Sequence, residues 1–480
     1  MVASLKEEKE AFVTGHTGST PWEVLLVCSS APVGFAFYQI LSANVKRSMW
    51  KSILYEALVL WLPMVVCQTN LLYPWGVAII AVQLLCVTFM AHGISSQPEQ
   101  SKTTIEKGQH QRIDYLTIYR SSILYLTFVA ILAVDFHVFP RRFAKTEVSG
   151  YGLMDVGAAS FVLSAGFVSS KARHRSPDST TTSYNIRRYA LHTLPLVTIG
   201  FIRFITNKGL DYQEHVSEYG VHWNFFFTLG VMAFATPLMP FRTPTWHIPV
   251  ILLTMYQICL GKLGWQEYVE TAPRTCNDNS TMQPLSRIFC DMMAANREGI
   301  LGCVGYLAIN LLGEFIGFNF LWNQGGTSLP EPGTTLYPKG LFLLSGFLWV
   351  IHWILVNVLN IPVSRRSTNA SFCVWVLAHN ILLLAMIQAG TSLGKQLQHQ
   401  KGQQLNLPPV MEKVNQYGLI IFLVANLLTG LVNLTVPTLR IGDTVALLIV
   451  FGYVCAIGIA ALLVDLVYQK LTPLSRKKSE

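Results

Sequence analysis

The sequence ILYLTFVAILAVDFHVFPRRFAK occupies residues 123–145 and combines the features that decide the fold. Its first part, up to Phe139, is an apolar run whose one acidic side chain is Asp135. Proline lacks an amide proton and disfavours helix at the preceding residue, so Pro140 predicts that a membrane helix stops or kinks at Phe139. Asp135 is then expected just inside the bilayer edge, and three cations just outside it: Arg141, Arg142 and Lys145. On a following interfacial helix Arg141 and Lys145 would share a face.

Apolar runs of this kind recur along the whole chain of 480 residues. The composition is 51% hydrophobic and 13% charged, with a mean hydropathy of +0.41, which indicates a membrane protein and not a set of soluble domains. A bilayer core of about 30 Å requires roughly 20 apolar residues per helix. Hydropathy therefore predicts an all-α, polytopic transmembrane helical bundle with about 13 spans, at 21–44, 52–70, 71–93, 123–139, 153–170, 190–207, 224–239, 247–265, 299–321, 339–361, 370–390, 417–435 and 443–469.

The distribution of basic residues predicts the orientation of the bundle. With these spans, the loops on the side of the C-terminus hold 21 of the 35 Lys and Arg, the opposite loops hold 12, and Arg203 and Lys262 lie within spans. Because cytosolic loops carry the excess of Lys and Arg, the C-terminus is predicted to be cytosolic and the N-terminus lumenal. The net charge of +9 is therefore assigned to membrane topology and not to nucleic acid. Lys477 and Lys478 near the cytosolic end have the form of an endoplasmic reticulum retrieval signal.

The predicted organisation is a lumenal N-terminal segment, one multi-span membrane domain and a cytosolic tail. Their bounds are 1–20, 21–470 and 471–480, and the lumenal loops of the membrane domain are 140–152, 208–223 and 266–298. In the longest of these loops Asn279 heads a possible glycosylation site, and Cys276 and Cys290 share a polar environment in which a disulfide is possible but not decided by the sequence. Asn369 and Asn433 also head sequons, but each lies too close to a span to be expected as a glycan acceptor.

Acidic, basic, amide, histidine and aromatic side chains gather in three predicted lumenal segments, 135–155, 210–224 and 294–299. A carboxylate in partly apolar surroundings is suited to accept a proton from an alcohol, and a nearby lysine can keep it ionised or stabilise an oxyanion. Asp135 and Lys145 fit these roles, although a plain interfacial ion pair is the alternative. His215 and His222 are rival bases, with a headgroup hydrogen bond as the alternative for each.

Charged residues within spans are costly in lipid and are expected to face the protein interior. Glu56, Arg203, Glu314 and Asp465 are residues of this kind. Arg203, on the span before the second polar segment, is a candidate to meet an anionic substrate, whereas His352 and His379 are interpreted as hydrogen-bonded core residues. The sequence contains no metal-ligand spacing, no Gly-rich phosphate loop and no nucleophile elbow.

Several motifs closely resemble the inositol acyltransferase family of glycosylphosphatidylinositol (GPI) anchor synthesis, and its fungal members in particular. The motifs are Lys9-Glu10-Ala11-Phe12-Val13-Thr14-Gly15, residues 133–145, residues 212–226, Ala295-Asn296-Arg297-Glu298-Gly299-Ile300, Ser364-Arg365-Arg366 and residues 429–433. The resemblance covers nearly the whole chain. One departure is His137, where the family pattern has proline, which bears on the local helix geometry alone.

The resemblance implies a multi-pass enzyme of the endoplasmic reticulum membrane that moves a palmitoyl group from acyl-CoA to the 2-hydroxyl of inositol in glucosaminyl-phosphatidylinositol. It places the catalytic pair at Asp135 and Lys145, with acyl-CoA as co-substrate, no bound cofactor or metal, and no obligate protein partner. The candidate substrate-binding residues are Arg141, Arg142, Arg203, His222, Trp223, Asn224, Asn296 and Arg297. The alternative function is a multi-span lipid or solute transporter, in which the same charges would line a pathway.

Overall fold

The computed structural model describes residues 12, 14–44, 48–92, 113–173, 182–209, 216–239, 243–276, 284–322, 338–403 and 405–476. In this part of the chain the regular structure is helical, with isolated bridges joining Gly18 and Ser19 to Tyr151. Three predicted features lie outside the described residues: the glycosylation site at Asn279, the rival base His215 and the retrieval signal at Lys477 and Lys478.

Contacts divide the chain into two compact units. The first contains Met1–Ser19 and Lys145–Asn380, and the second contains Thr20–Ala144 and Ile381–Glu480. One boundary therefore falls between Ala144 and Lys145, within the stretch 123–145, so that Asp135 and Lys145 belong to different units. The single membrane domain at 21–470 remains a prediction.

The helices of the second unit are α1 Pro21–Asn44, α2 Met49–Glu56, α3 Leu62–Cys67, α4 Val77–His92, α5 Asp114–Ala133, α16 Pro409–Gln416, α17 Gly418–Thr435 and α18 Asp443–Arg476. Those of the first unit are α6 Leu153–Phe167, α7 Thr182–Gly209, α8 Val216–Tyr219, α9 Phe225–Leu238, α10 His247–Lys262, α11 Trp265–Thr271, α12 Pro284–Ala295, α13 Arg297–Ile316 and α14 Pro338–Trp353. Helix α15, Ala370–His399, runs from the first unit into the second. Short π-helical segments occupy Ala57–Trp61, Leu72–Gly76, Gly317–Trp322 and Ile354–Val358.

Nine helical segments in the described part are long and apolar enough to cross a membrane, or ten if α10 and α11, bent by 67°, form one broken span. The chain is thus a multi-pass membrane protein with an all-helical described structure. Each of the 13 predicted segments contains a helix, but α6 and α9 are shorter apolar helices and α7 is not among the nine. The count of 13 and the orientation of the termini remain predictions.

Helices α6 and α13 approach closely because their contact is lined by glycine. A Cβ atom on Gly166 would lie 2.3 Å from the carbonyl oxygen of Asn310, and one on Gly313 would lie 2.7 Å from that of Leu163. The Asn310 side chain donates from Nδ2 to the carbonyl of Val162 (2.9 Å) and accepts from the Thr236 hydroxyl (3.1 Å). Small residues and interhelical hydrogen bonds are the usual means of holding helices together in lipid, where burial of apolar surface contributes little.

The acidic residues predicted to lie within spans face protein. Glu56, Glu314 and Asp465 are all buried. Glu56 accepts hydrogen bonds from the main-chain amides of Val410 (2.9 Å) and Met411 (2.7 Å) at the start of α16, which satisfies two otherwise unpaired donors of that helix. Asp465 pairs with Lys413 at 3.0 Å. The expectation that such groups avoid lipid is confirmed for these three.

Contacts within the second unit join loop ends that the predicted topology assigns to one face of the membrane. Arg142 pairs with Glu23, and Asn70 donates from its main chain to the carbonyl of Val138 at 2.8 Å. At the opposite ends of the helices, Lys401 donates to the carbonyl of Ala43 at 3.0 Å. Every one of these contacts joins two segments predicted to lie on the same side, so the pattern agrees with the predicted alternation of spans.

Candidate functional site

The segment after α5 differs from its prediction in two respects. The helix ends at Ala133, six residues before Phe139, and the residues around Arg141 form one 3-10 turn, Arg141–Phe143, instead of an interfacial helix. The physical cause is the Arg141 guanidinium, which donates to the carbonyls of Val134 (2.9 Å), Phe136 (3.0 Å) and Phe139 (2.9 and 3.1 Å). These carbonyls are satisfied by arginine, so the chain leaves the helix early, and Asp135 lies in the turn beyond it.

Arg141 also bears on Asp135 electrostatically. Burial lowers the pKa of Arg141 to about 10, and the negative charge of Asp135 opposes that shift. The guanidinium therefore remains cationic at neutral pH. Its nitrogens are engaged with main-chain carbonyls, which makes the side chain a brace for the turn that carries Asp135; its predicted role toward a substrate phosphate remains a prediction.

Asp135 is held by Asn433, in the last turn of α17. The Asn433 Nδ2 atom donates to Oδ2 of Asp135 at 2.7 Å and to the carbonyl of Thr429 at 3.2 Å. In the sequence, Asn433 heads a sequon and lies in a family motif, and neither feature indicates this contact.

Arg142 lies close to Asp135 in the sequence but has a different environment. Its guanidinium binds the Glu23 carboxylate at 2.9–3.1 Å and lies over the ring of Tyr73, whose hydroxyl donates to the same carboxylate at 2.7 Å. The side chain is 41% exposed. Exposure of this extent leaves Arg142 accessible to an anionic headgroup.

Lys145, in the first unit, is ion-paired with Glu218, which lies on α8 in the second polar segment. The Lys145 Nζ and Glu218 Oε2 atoms are 2.5 Å apart, and Oε1 of the same carboxylate lies 3.5 Å from the guanidinium of Arg365. Burial would raise the pKa of Glu218, but Lys145, Arg365 and Arg203 outweigh it and lower the value to about 2. Glu218 is therefore a carboxylate at any physiological pH, and Arg203 is placed near it.

The same arginine continues the network to a second acid. Arg365 Nε lies 2.7 Å from Oδ1 of Asp155, which is fully buried. The other oxygen of Asp155 accepts from the hydroxyl (2.7 Å) and amide (3.2 Å) of Thr146 and from the amide of Gly152 (3.2 Å). Because Thr146 follows Lys145 directly, the acid also fixes the main chain that carries the lysine. Charges thus alternate from Lys145 through Glu218 and Arg365 to Asp155.

The second and third polar segments come together in the first unit. The Asn296 side chain accepts from the amide of His222 at 2.7 Å, and the Trp223 indole donates to the Thr228 hydroxyl at 2.9 Å. Asn224 accepts from the amide of Phe226 at 3.0 Å and so caps α9. Three of the predicted substrate-binding residues, Trp223, Asn224 and Asn296, therefore form hydrogen bonds within the protein. The fourth residue of this group, His222, is exposed.

Around Glu298 several arginines converge. Arg274 contacts the carboxylate at 2.8 Å and Arg366 at 2.9 Å, whereas Arg297 donates to the carbonyls of Val269 (3.1 Å) and Pro273 (3.0 Å). Glu298 and Arg297 are both buried. The cluster binds the start of α13 to the loop before it, and the role of Arg297 toward substrate remains a prediction.

Cys276 and Cys290 form a disulfide within the predicted loop 266–298. Cys290 lies on α12. The link, which the sequence left open, joins residues 14 positions apart next to the Arg274–Glu298 pair. Cys276 is further fixed by donation from its amide to Asp291 at 2.8 Å. Disulfides form in oxidising compartments, so this bond supports the prediction that loop 266–298 is lumenal.

Removing this disulfide is expected to destabilise the loop. A Cys276→Ser, Cys290→Ser variant should lose about 3 kcal/mol of unfolding free energy, the chain-entropy value for a loop of roughly 15 residues. The measurement is the apparent Tm of the detergent-solubilised protein, with Cys86→Ser, a free cysteine, as control. An unchanged Tm, together with two alkylatable thiols at these positions in the wild type, would contradict the link.

His352 and His379, the two histidines predicted as core residues, differ in their hydrogen bonding. His352 bonds to the Tyr151 hydroxyl (2.9 Å) and the Ser371 carbonyl (3.2 Å), as predicted. His379 is buried, but its ring nitrogens have no hydrogen-bond partner among the described residues, so that part of the prediction was wrong. In the same described part of the chain, no group of three or more His, Cys, Asp or Glu side chains is arranged to hold a metal ion.

Among the charged and amide side chains in the networks of Asp135 and Lys145, four were not predicted as site residues: Asp155, Glu218, Arg365 and Asn433. Glu218, Arg365 and Asn433 lie within motifs that carry the family resemblance, and Asp155 closes the first polar segment. A charged or amide residue inside such a motif was the sequence feature by which these residues could have been found.

Comparison with known proteins gives a consistent result over the full length. The GWT1 family model matches residues 5–464. Several relatives are named GPI-anchored wall transfer protein 1. The protein from Yarrowia lipolytica is 32% identical over 487 residues, covering 95% of this chain and 97% of the relative. The protein from Gibberella zeae is 34% identical over 514 residues (96% and 98%), and that from Candida albicans 30% identical over 503 residues (97% and 98%).

Proposed function

Because the chain belongs to the GWT1 family, we propose that it is an acyl-CoA-dependent inositol O-acyltransferase of the endoplasmic reticulum membrane. It moves a fatty acyl group, palmitoyl, from acyl-CoA to the 2-hydroxyl of inositol in glucosaminyl-phosphatidylinositol, as a step of GPI-anchor biosynthesis. The multi-pass helical structure supports a reaction on a substrate that is itself anchored in the bilayer.

The observation that carries this proposal is the setting of Asp135. The carboxylate lies just beyond a membrane-crossing helix and is held by the Asn433 amide at 2.7 Å. In the proposed step the inositol oxygen attacks the thioester carbonyl carbon while Asp135 takes the hydroxyl proton. A C–O bond forms, the C–S bond breaks, and the CoA thiolate leaves with the proton that Asp135 then returns. No acyl-enzyme is required.

The family resemblance assigns Lys145 the cationic role in this reaction. Its ammonium is fixed by Glu218 and, through Glu218, by Arg365, so its position is set before substrate arrives. A fixed cation stabilises the oxyanion of an acyl-transfer transition state or keeps the catalytic carboxylate ionised. Arg142 and His222, both exposed, are the predicted substrate-binding residues with most access to a headgroup.

The test is acyl transfer by the purified protein in nanodiscs. Labelled palmitoyl-CoA and glucosaminyl-phosphatidylinositol should give a product that is one palmitoyl group heavier, with an alkali-labile ester on the inositol ring and one free CoA thiol per ester. Protein-free nanodiscs serve as control. Movement of either lipid across the bilayer with no ester formed would contradict the proposal and favour the transporter alternative.

A further inference from the structure

Asn433 is bound on two sides. One hydrogen bond of its Nδ2 atom goes to Asp135 (2.7 Å) and the other to the carbonyl of Thr429, one turn earlier in α17 (3.2 Å). Both amide protons are therefore committed, and the orientation of the side chain is fixed relative to its own helix. Asp135, by contrast, lies in the turn beyond the end of α5 and not on a helix.

The turn of α17 beneath Asn433 is itself anchored. The hydroxyls of Thr429 and of Tyr453, on α18, lie 3.1 Å apart, and each lies within hydrogen-bond distance of the Ala425 carbonyl, at 3.0 and 3.2 Å. Thr429 and Tyr453 are buried. Residues whose own geometry is locked by neighbouring hydrogen bonds hold a functional group more precisely than a loop does alone.

We propose that Asn433 is a positioning residue for the base Asp135. It holds one carboxylate oxygen toward α17 and so fixes the orientation of the carboxylate that accepts the inositol proton. The inference rests on the proposed function. A misplacement of about 1 Å can cost roughly 100-fold in rate, so the loss of this contact should reduce turnover more than binding.

The contact between Asn433 and Asp135 also bears on glycosylation. Asn433, Leu434 and Thr435 form a sequon, but the nitrogen to which a glycan would be attached is the one bound to Asp135. Asn433 is thus assigned to the site and not to glycosylation. This assignment provides a control, because Thr435→Ala destroys the sequon and leaves the amide in place.

The test uses Asn433→Leu, which has nearly the same shape as asparagine but no polar atoms. We expect kcat for inositol acylation to fall about 10- to 100-fold, with KM for both substrates within about twofold of wild type. Asn433→Gln, which keeps an amide donor, should recover part of the loss. Asn426→Ala removes the matched asparagine on α17, which bonds only to the Phe422 carbonyl in the described structure, and should keep wild-type kcat.

The outcomes separate the two proposals. If wild type forms the ester and Asn433→Leu has a normal kcat, the positioning role is wrong and the proposed function stands. Equal losses in Asn433→Leu and Thr435→Ala would assign the effect to a glycan and also overturn it. A loss that appears wholly in KM would indicate substrate binding instead. If wild type forms no ester, both proposals fail.

Discussion

Asp135→Asn is expected to reduce inositol acylation by about 100- to 10,000-fold, the usual contribution of a general base. Asparagine has the shape of aspartate, and its oxygen can still accept from Asn433, so the turn after α5 should keep its structure. The amide cannot take the proton of the inositol hydroxyl. Transfer would therefore stop at the chemical step, with both substrates still bound.

The measurement is single-turnover acyl transfer in microsomes or nanodiscs, at equal amounts of folded protein judged by apparent Tm. Asp443→Asn is the matched control, since it makes the same chemical change at an exposed position at the start of α18. Turnover of Asp135→Asn near the wild-type value would exclude Asp135 as the base.

The class of the fold was predictable because lipid imposes a length and a composition on every spanning helix. Long apolar runs such as Pro21–Asn44 and Asp443–Arg476 are visible in the sequence without any tertiary information. Helices near the minimum length for crossing the bilayer are not visible in this way, as α6 and α9 show. Both pack against other helices at glycines, Gly166 in α6 and Gly230 in α9, and hydropathy does not register such contacts.

The end of α5 shows a second limit. Local rules placed it at Phe139, but the helix ends at Ala133, before the main-chain carbonyls that the Arg141 guanidinium binds. Propensity rules treat an arginine after a helix as a favourable charge, and they do not say which carbonyls it will bind. Asp135 therefore lies in a turn and not on a helix, which changes what must hold it in place.

Candidate residues for the site could be chosen from the sequence, but their structural partners could not. Asp135 and Lys145 were chosen from charge, placement and resemblance, whereas their contacts come from far along the chain. Asn433 is 298 positions from Asp135, and Glu218 is 73 positions from Lys145. Only the packing of the helices brings such pairs together, so a single sequence carries no direct sign of them.

Arg365→Ala is expected to lower the free energy of unfolding strongly. It removes the cation between two acids, Asp155 and Glu218, of which Asp155 is fully buried. Leaving a buried charge without its partner typically costs about 3–5 kcal/mol, because the lost attraction no longer offsets desolvation. The pair of Arg142 and Glu23 provides the contrast, because the Arg142 side chain is 41% exposed, and Arg142→Ala should cost less than about 1 kcal/mol.

The comparison is made by thermal unfolding of the solubilised variants under identical conditions. Arg365→Ala should show a marked drop in apparent Tm, and Arg142→Ala almost none. Adding Asp155→Asn to Arg365→Ala removes the uncompensated charge, so the double variant should be less unstable than the sum of the two single changes. Strict additivity would mean that the two residues do not interact. A wild-type Tm for Arg365→Ala would mean that the network does not hold the main chain that carries Lys145.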